Sequence, residues 1–343
     1  MNRIAVIATA IAGIVCNMSL QAQFSQRASS FYLELNDKGQ IICLTDLEKN
    51  VNYSAGEPAY LVGIKVGGEV LNPVSLKIRK DLLEFSFSNG MSTSLKATNQ
   101  KKYLRFEVVT LSNPEEVEAV LWGPVKTTIS ETIGEFVGVV RNKEFAIGIQ
   151  ALNVKTTGGE LVNEEGGVFG ARGTAAMERE YGSSLQAFCV NRTKPRLIKA
   201  WNQFERTEVK ASPDFNIAGS AIALLGSPAE ETLELIGQIE VEEGLPHILI
   251  DGEWVKSSPK AGRPYIISSF GEESVDKMLD FTESVGFYSL YHSHPFSNWG
   301  HFDLLPSHFP NGRKGLKACV DKAKNRGIRM GVHTLTTFIT TND

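Results

Sequence analysis

The chain has 343 residues, of which 42% are hydrophobic and 22% charged, and its formal net charge is −4. At about 150 residues per domain, this length predicts two domains with cores of their own. The near balance of 35 basic and 39 acidic residues argues against a polybasic nucleic-acid-binding protein, and the apolar content argues against a disordered chain.

The first 22 residues have the pattern of a secretory signal peptide. Arg3 gives a positive start, an apolar run covers residues 4–15, and small or polar residues lead to Ala22. A run of about 12 apolar residues is too short for a comfortable membrane span. We therefore predict an exported protein, periplasmic or extracellular, without a membrane span after cleavage of the signal.

Residues 23–225 are rich in β-strand patterns. Residues 31–35 alternate between apolar and polar, residues 36–39 form a turn signal, and residues 40–44 resume the pattern. Similar runs occur at residues 60–66, 83–87, 103–110, 119–121, 135–140, 144–149 and 221–225. Many short strands with turn signals between them predict an antiparallel β-sandwich domain.

The pattern changes after Leu225. Ser227, Pro228 and Glu230 have the spacing of a capping box, with Ser227 at the N-cap, and predict the start of a helix. Residues 242–264 are rich in Gly and Pro, which is typical of a connection between domains. We therefore assign residues 226–264 to a helix and connector.

Residues 265–343 predict an alternation of strands and helices. Short apolar strands are expected at residues 265–267, 287–291 and 328–335, and helices with one apolar face at residues 272–285 and 312–326. Strand–helix–strand–helix–strand is typical of parallel βα units. Most cationic residues between Arg313 and Arg329 lie off the apolar helix face, so we interpret them as a solvated surface.

Five of the six histidines lie between His292 and His333. In parallel βα folds the active site forms where strands end and loops begin, so His292 and His294 should meet His333 at one edge of the sheet. The loop after the first of these strands adds further side chains that can contact a ligand. The predicted substrate-binding residues are His292, His294, Trp299, His301, Asp303 and His333.

Two sequence elements suggest a family. Residues 309–317 read Phe-Pro-Asn-Gly-Arg-Lys-Gly-Leu-Lys and lead into the predicted helix, and residues 327–333 read Gly-Ile-Arg-Met-Gly-Val-His. Over residues 272–333 the chain resembles the start of the (β/α)₈ catalytic barrel of α-galactosidase-like and related retaining α-glycosidases. A β-sandwich before the barrel is the arrangement of several such families. The resemblance implies an exported glycoside hydrolase that acts on a poly- or oligosaccharide.

The catalytic carboxylates of those families have no counterpart here. The resemblance implies an aspartate nucleophile and an aspartate acid/base on later barrel strands, and retention requires the two carboxyl groups about 5 Å apart. A whole barrel takes about 250 residues, whereas 79 residues extend from Tyr265 to Asp343. We therefore expect a fragment with an incomplete TIM-type (β/α)₈ barrel over residues 265–343, no assigned catalytic residue and no turnover by itself.

Two alternatives remain open. A non-catalytic carbohydrate-binding protein would use the same Trp299 and histidines, whose rings offer apolar faces to sugars. A metal-dependent hydrolase would use His292 and His294, because a His-Ser-His-Pro element resembles that of metal-dependent isopeptidases and alternate strand residues share a side. Those enzymes continue with Ser-x-x-Asp, which is absent here. We assign no metal or other cofactor, a carbohydrate as partner and no oligomeric state.

Overall fold

The computed structural model describes residues 22–135, 138–161, 171–172, 175–199, 206–336 and 340. The chain divides into two compact units, Met1–His247 and Ile248–Asp343. Apart from Ala22, the predicted signal peptide lies outside the described residues, as do residues 136 and 137 of one predicted strand.

The first unit consists mainly of antiparallel β-sheets. Its strands are β1 (Ala22–Ala28), β2 (Phe31–Asn36), β3 (Ile41–Asp46), β4 (Val51–Asn52), β5 (Val62–Val66), β6 (Glu69–Leu71), β7 (Pro73–Arg79), β8 (Leu82–Phe87), β9 (Ser92–Asn99), β10 (Tyr103–Leu111), β11 (Val117–Thr127), β12 (Thr132–Ile133), β13 (Val139–Arg141), β14 (Phe145–Ala151), β15 (Thr157–Gly158), β16 (Glu160–Leu161), β17 (Ala171–Arg172), β18 (Ala176–Arg179), β19 (Gly182–Val190), β20 (Arg196–Lys199), β21 (Arg206–Val209) and β22 (Ala221–Pro228).

These strands form two large sheets and several smaller ones. The larger has the strand order β12-β13-β14-β22-β10-β9-β8-β7, and the second has the order β15-β19-β11-β5-β6, with β18 paired to β19. Strands β1 to β4 form an N-terminal sheet in chain order, and β16-β17 and β20-β21 form short pairs. The β-rich, antiparallel character predicted from the sequence is therefore confirmed.

One continuous core joins the sheets of the first unit. Phe85 and Phe106 from the larger sheet, Trp122 and Leu185 from the second sheet and Phe31 from the N-terminal sheet are all buried in it. Burial of each such side chain contributes about 1.5–3 kcal/mol. Burial of apolar side chains between the sheets thus stabilises this unit.

Helix α1 (Thr232–Glu242) follows β22 after a 3₁₀ turn at Ala229–Glu231. The predicted capping box is wrong: β22 continues to Pro228, and the N-cap position, Glu231, makes no side-chain capping bond. Ser227 instead lies in the strand, with its Oγ 2.9 Å from Oγ1 of Thr232. Extended backbone at Ser227 is stabilised by pairing with β14, which outweighs the local helix signal.

The end of α1 is tied to β10 by a polar cluster. The Tyr103 hydroxyl donates to Glu243 Oε1 at 2.7 Å, and Arg105 Nε donates to Glu243 Oε2 at 3.1 Å. Burial and the adjacent Glu243 carboxylate raise the pKa of Tyr103, so this hydroxyl stays protonated and remains a donor. These bonds hold the last turn of the helix on the sheet.

The second unit contains a small parallel sheet with two helices. Its elements are β23 (Leu249–Ile250), β24 (Glu253–Trp254), a 3₁₀ helix (Pro259–Gly262), β25 (Tyr265–Ser268), α2 (Val275–Ser284), β26 (Ser289–His292), α3 (Gly312–Asn325) and β27 (Arg329–Val332). The strands pair in the order β25-β26-β27, and both pairings are parallel, as the alternation of strands and helices predicts.

Helices α2 and α3 pack with the sheet around a small core. Val275 and Leu279 of α2 meet Leu290 of β26 and Cys319 and Ala323 of α3. The outward helix surfaces carry ion pairs, such as Lys322–Asp276 and Arg326–Asp280. In the described part of the chain, no helix is both long and apolar enough to cross a membrane.

Candidate functional site

The carboxyl ends of β25, β26 and β27 meet at one edge of the parallel sheet. The register aligns Ser268 with His292 and His292 with Val332, so the segments that follow these residues leave from neighbouring points. His294 and His333 lie on two of these segments. The convergence expected from the strand assignment is thus present in the backbone.

His292 lies beneath this edge and is completely buried. Its Nε2 is 2.8 Å from the carbonyl oxygen of Phe270, and its Nδ1 accepts the backbone N–H of His294 at 3.1 Å. These partners require the neutral tautomer with the proton on Nε2. Burial lowers the pKa of His292 below its ordinary value, so the neutral form is favoured.

Four side chains at the strand ends form what we call the strand-end cluster: Tyr291, His294, Trp299 and His333. The Tyr291 hydroxyl lies 3.0 Å from Nδ1 of His333. The Trp299 ring meets the His333 ring edge to face at 5.9 Å between centroids, and the His294 ring lies 6.4 Å from the His333 ring. Hydrogen bonding through Nδ1 leaves the Nε2 atom of His333 for a further partner.

The loop after β26 holds Trp299 among other aromatic rings. Its ring contacts Phe296 and Phe302 at 6.4 Å between centroids in each case. The backbone of Trp299 is also held, because its N–H donates to Thr340 Oγ1 and its carbonyl accepts the Thr340 N–H, both at 2.9 Å. Phe302 has a φ of +57°, a strained conformation for a bulky residue.

Asp303 closes the loop rather than facing the cluster. Its Oδ2 accepts Nδ2 of Asn298 at 2.8 Å, its N–H donates to Oδ1 of Asn298 at 3.0 Å, and its carbonyl accepts the N–H of Ser297. His301 is exposed. Within the described ranges, no hydrogen bond or ring contact joins Asp303 or His301 to the strand-end cluster.

A concavity of about 510 Å³ adjoins the cluster on the sheet face opposite the buried Leu290. It is lined by Tyr265, Ile267, Ser289, Tyr291, Arg329, Met330, Gly331 and His333. Tyr265 and Ile267 are more than half exposed, at 57% and 56%. Tyr291 and His333 line the concavity and also belong to the cluster, so the two features are continuous.

Sequence reasoning missed the tyrosines. Tyr265 and Tyr291 occupy paired strands, and their rings meet edge to face at 6.4 Å. Alternation along the strand was the available signal, because Tyr265 and Ile267 share one face while Ile266 packs on the core.

The His-x-His element is not arranged as a pair of metal ligands. His292 uses one ring nitrogen as a donor and the other as an acceptor, so neither offers a free lone pair. Among the residues that the structure describes, no group of three or more His, Cys, Asp or Glu side chains could hold a metal ion.

The Phe309–Lys317 element has a packing role. Phe309 is buried against Phe270 and His292. Glu272 accepts both the backbone N–H and the side-chain amide of Asn311, at 2.9 and 2.7 Å, next to the first residue of α3. A Cβ on Gly315 would lie 1.8 Å from Glu272 Oε1, so only glycine leaves space for this carboxylate.

Solved glycoside hydrolases resemble this chain in structure. They include the α-N-acetylgalactosaminidase NagBb from Bifidobacterium bifidum, with a TM-score of 0.47, 10% identity and coverage of 91% of this chain and 58% of that one. The α-galactosidase from Lactobacillus brevis gives a TM-score of 0.36, 9% identity and coverage of 90% and 54%. A GH31 family sulfoquinovosidase from E. rectale gives 0.34, 9%, and coverage of 91% and 48%.

These matched structures are glycoside hydrolases, the class that the elements at residues 309–317 and 327–333 resemble. This chain spans 58% of the length of NagBb. No protein-family model matches the chain, and no curated protein matches it in sequence.

Proposed function

We propose that the chain is part of a carbohydrate-active protein of the glycoside hydrolase type, and that the strand-end cluster binds carbohydrate. The observation that supports this most is the convergence of Tyr291, His294, Trp299 and His333 beside a concavity of about 510 Å³ at the ends of parallel strands. Sugar-binding sites combine aromatic faces with polar groups in this way.

We further propose that the parallel unit is the beginning of a (β/α)₈ barrel. Its three strands are adjacent in the sheet in the same order as in the chain, and a helix follows each of the first two. This is the connectivity of such barrels. The concavity would then face the barrel interior.

Recognition rather than turnover is the activity that we assign to this chain alone. Glycoside hydrolysis requires two positioned carboxyl groups. Asp303, the acidic residue predicted for the site, is engaged by Asn298 within its own loop. The cluster itself contains no carboxylate among its four members.

Binding of α-galactosides and α-N-acetylgalactosaminides, the substrate classes named by the similar enzymes, tests the proposal. Titration calorimetry should show binding that falls about tenfold in Trp299→Ala, because losing an aromatic face costs on the order of 1.4 kcal/mol. Phe281→Ala removes a half-exposed ring on α2 and should bind like the unaltered protein. Equal affinity of the two variants, or no binding to any glycan on an array, would contradict the proposal.

A non-catalytic sugar-binding protein is the second candidate, supported by the absence of a carboxylate from the cluster. This chain alone should bind without turnover in either case, so incubation of the whole protein, isolated from its host, with p-nitrophenyl α-galactoside separates the two functions. Binding without release of nitrophenol favours the binding protein, whereas release that is lost with Trp299→Ala favours a hydrolase.

We also propose that the protein is exported through its first 22 residues. N-terminal sequencing of the protein from its host should then begin at residue 23. A protein that retains Met1 or Asn2 at its N-terminus would contradict export by this signal.

A further inference from the structure

His292 contacts three separate segments of the second unit. Its ring bonds to the carbonyl of Phe270 and to the N–H of His294, and its own carbonyl accepts the N–H of His333 at 2.9 Å. Phe270 follows β25, His294 follows β26 and His333 follows β27. A single buried residue therefore connects all three strand ends.

The position of the ring is fixed by its surroundings. The rings of Phe270, His308 and Phe309 lie 4.7, 5.3 and 5.6 Å from it between centroids. With no exposed surface, the ring cannot exchange its partners for water. Its orientation therefore sets where the His294 backbone leaves the strand.

We propose that His292 is the positioning residue of the strand-end cluster: it places His294 through Nδ1 and His333 through its carbonyl, and does not itself touch the ligand. This inference rests on the proposed carbohydrate-binding function of the same site. It assigns to His292 a role different from that of direct substrate contact.

The arrangement works only with a neutral ring. A proton on Nδ1 would turn that atom into a donor facing the N–H donor of His294, and the contact would become repulsive. The titratable groups that act on the ring are His308 and His294, and their charged forms oppose its protonation, in the same direction as burial. The cluster should therefore lose its geometry in acid, once His292 is forced to protonate.

The hydrogen bond to His294 can be measured directly in the unaltered protein. NMR should show the Nε2–H tautomer of His292 at pH 7 and a scalar coupling between the His294 amide nitrogen and His292 Nδ1 across the N–H···N bond. An Nδ1–H tautomer, or no coupling, would overturn the proposal even if every variant fails to fold.

Two variants separate the roles of the ring nitrogens. In His292→Gln the side-chain amide can still donate to Phe270 but has no acceptor at the Nδ1 position, so exchange of the His294 amide should become about tenfold faster. In His292→Asn the side-chain oxygen can replace Nδ1, so that amide should remain protected. The proposal is wrong if the Gln variant leaves exchange at His294 unchanged.

Ligand binding supplies a readout that a purely structural role would not change. Carbohydrate affinity of the unaltered protein should fall in acid, and at pH 7 His292→Asn should bind more tightly than His292→Gln. His247→Gln, in the first unit, controls for loss of a histidine and should bind normally. If no carbohydrate binds, the proposed function fails while the NMR test remains valid. If binding is normal but the coupling is absent, the positioning role alone fails.

Discussion

The two units bury their sheets in different ways. In the first unit, β22 is covered on both faces, because Ile222 and Leu224 enter the main core while Ala223 and Leu225 pack toward α1. In the second unit, helices pack on one face of the parallel sheet, and Tyr265 and Ile267 remain more than half exposed on the other. Parallel sheets are usually buried on both faces. The site therefore lies where burial is least complete.

This contrast implies an unequal distribution of stability. Regions with few buried apolar contacts open at lower free energy than cores do. The second unit should therefore exchange its amide hydrogens faster than the first. Five variants, studied in four experiments, test this difference between the units.

Removing one core ring from each unit should have the largest effect. Phe106 and Phe309 are both buried, and truncation of such a side chain costs about 3–5 kcal/mol. Phe309→Ala should unfold the small second unit, whereas Phe106→Ala should destabilise the first unit without abolishing its fold. Hydrogen exchange followed by mass spectrometry measures both. Val320→Ala, at a partly exposed position of α3, is the control. If the amides of β26 remain protected from exchange in Phe309→Ala, the second unit is not the less stable of the two.

Gly315→Ala should have the next largest effect. The new Cβ would displace the Glu272 carboxylate and weaken its bonds to Asn311, at a cost of about 1–3 kcal/mol. The matched control is Gly262→Ala, where no atom lies within 4 Å of the added Cβ. Denaturant titration should give a lower unfolding midpoint for Gly315→Ala than for Gly262→Ala. Equal midpoints would show that Glu272 moves aside without loss.

Glu243→Gln tests a polar contact of the better-buried unit. Replacing the carboxylate weakens its bonds to Tyr103 and Arg105 and should cost about 1–2 kcal/mol, since bonds to charged groups exceed neutral ones. The melting temperature of the first unit reports the change. Glu230→Gln, at an exposed position before α1, should leave it unaltered. If the two variants have the same melting temperature, the hydrogen bonds of Glu243 with Tyr103 and Arg105 do not stabilise the first unit.

Asp280→Asn should have the smallest effect. It removes a partner of Arg326 on the exposed surface between α2 and α3, where solvent and salt screen the pair. We expect no measurable change in the melting temperature at physiological salt. A clear, salt-dependent decrease would show that the surface of the second unit compensates for its small core.

Periodicity predicted the two main helices of the second unit and several strands of the first. The alternating residues 31–35 lie within β2, and the apolar stripes at residues 272–285 and 312–326 correspond to α2 and α3. Local pattern was sufficient for the two helices, because one face of each is buried. It failed for β9 and β19, whose buried Thr93 and Ser183 are polar. Their hydroxyls are satisfied by distant partners, a carbonyl at Thr110 and the hydroxyl of Thr127.

The convergence of side chains at the candidate site was predicted in part, and their role in substrate binding stays a prediction. Placing histidines at strand ends correctly brought His294 and His333 together, since parallel strands end at one edge. The burial of His292 was not predictable, because it depends on Phe270 and Phe309, which are distant from it in sequence. Tyr265 and Tyr291 were not predicted as site residues, because the apolar runs that contain them indicate buried strands. The face of the sheet that carries both tyrosines is not covered by the helices.

The position of β22 in the larger sheet has a consequence for synthesis of the chain. It is the last strand of that sheet to be made, yet it lies between β14 and β10. Until the ribosome has released it, strands β7 to β10 and β12 to β14 are two separate meanders, each with an unpaired edge. Such edges invite pairing with other chains. We therefore expect the nascent first unit to be prone to such pairing until β22 is made, and closing the sheet is the step that ends this exposure.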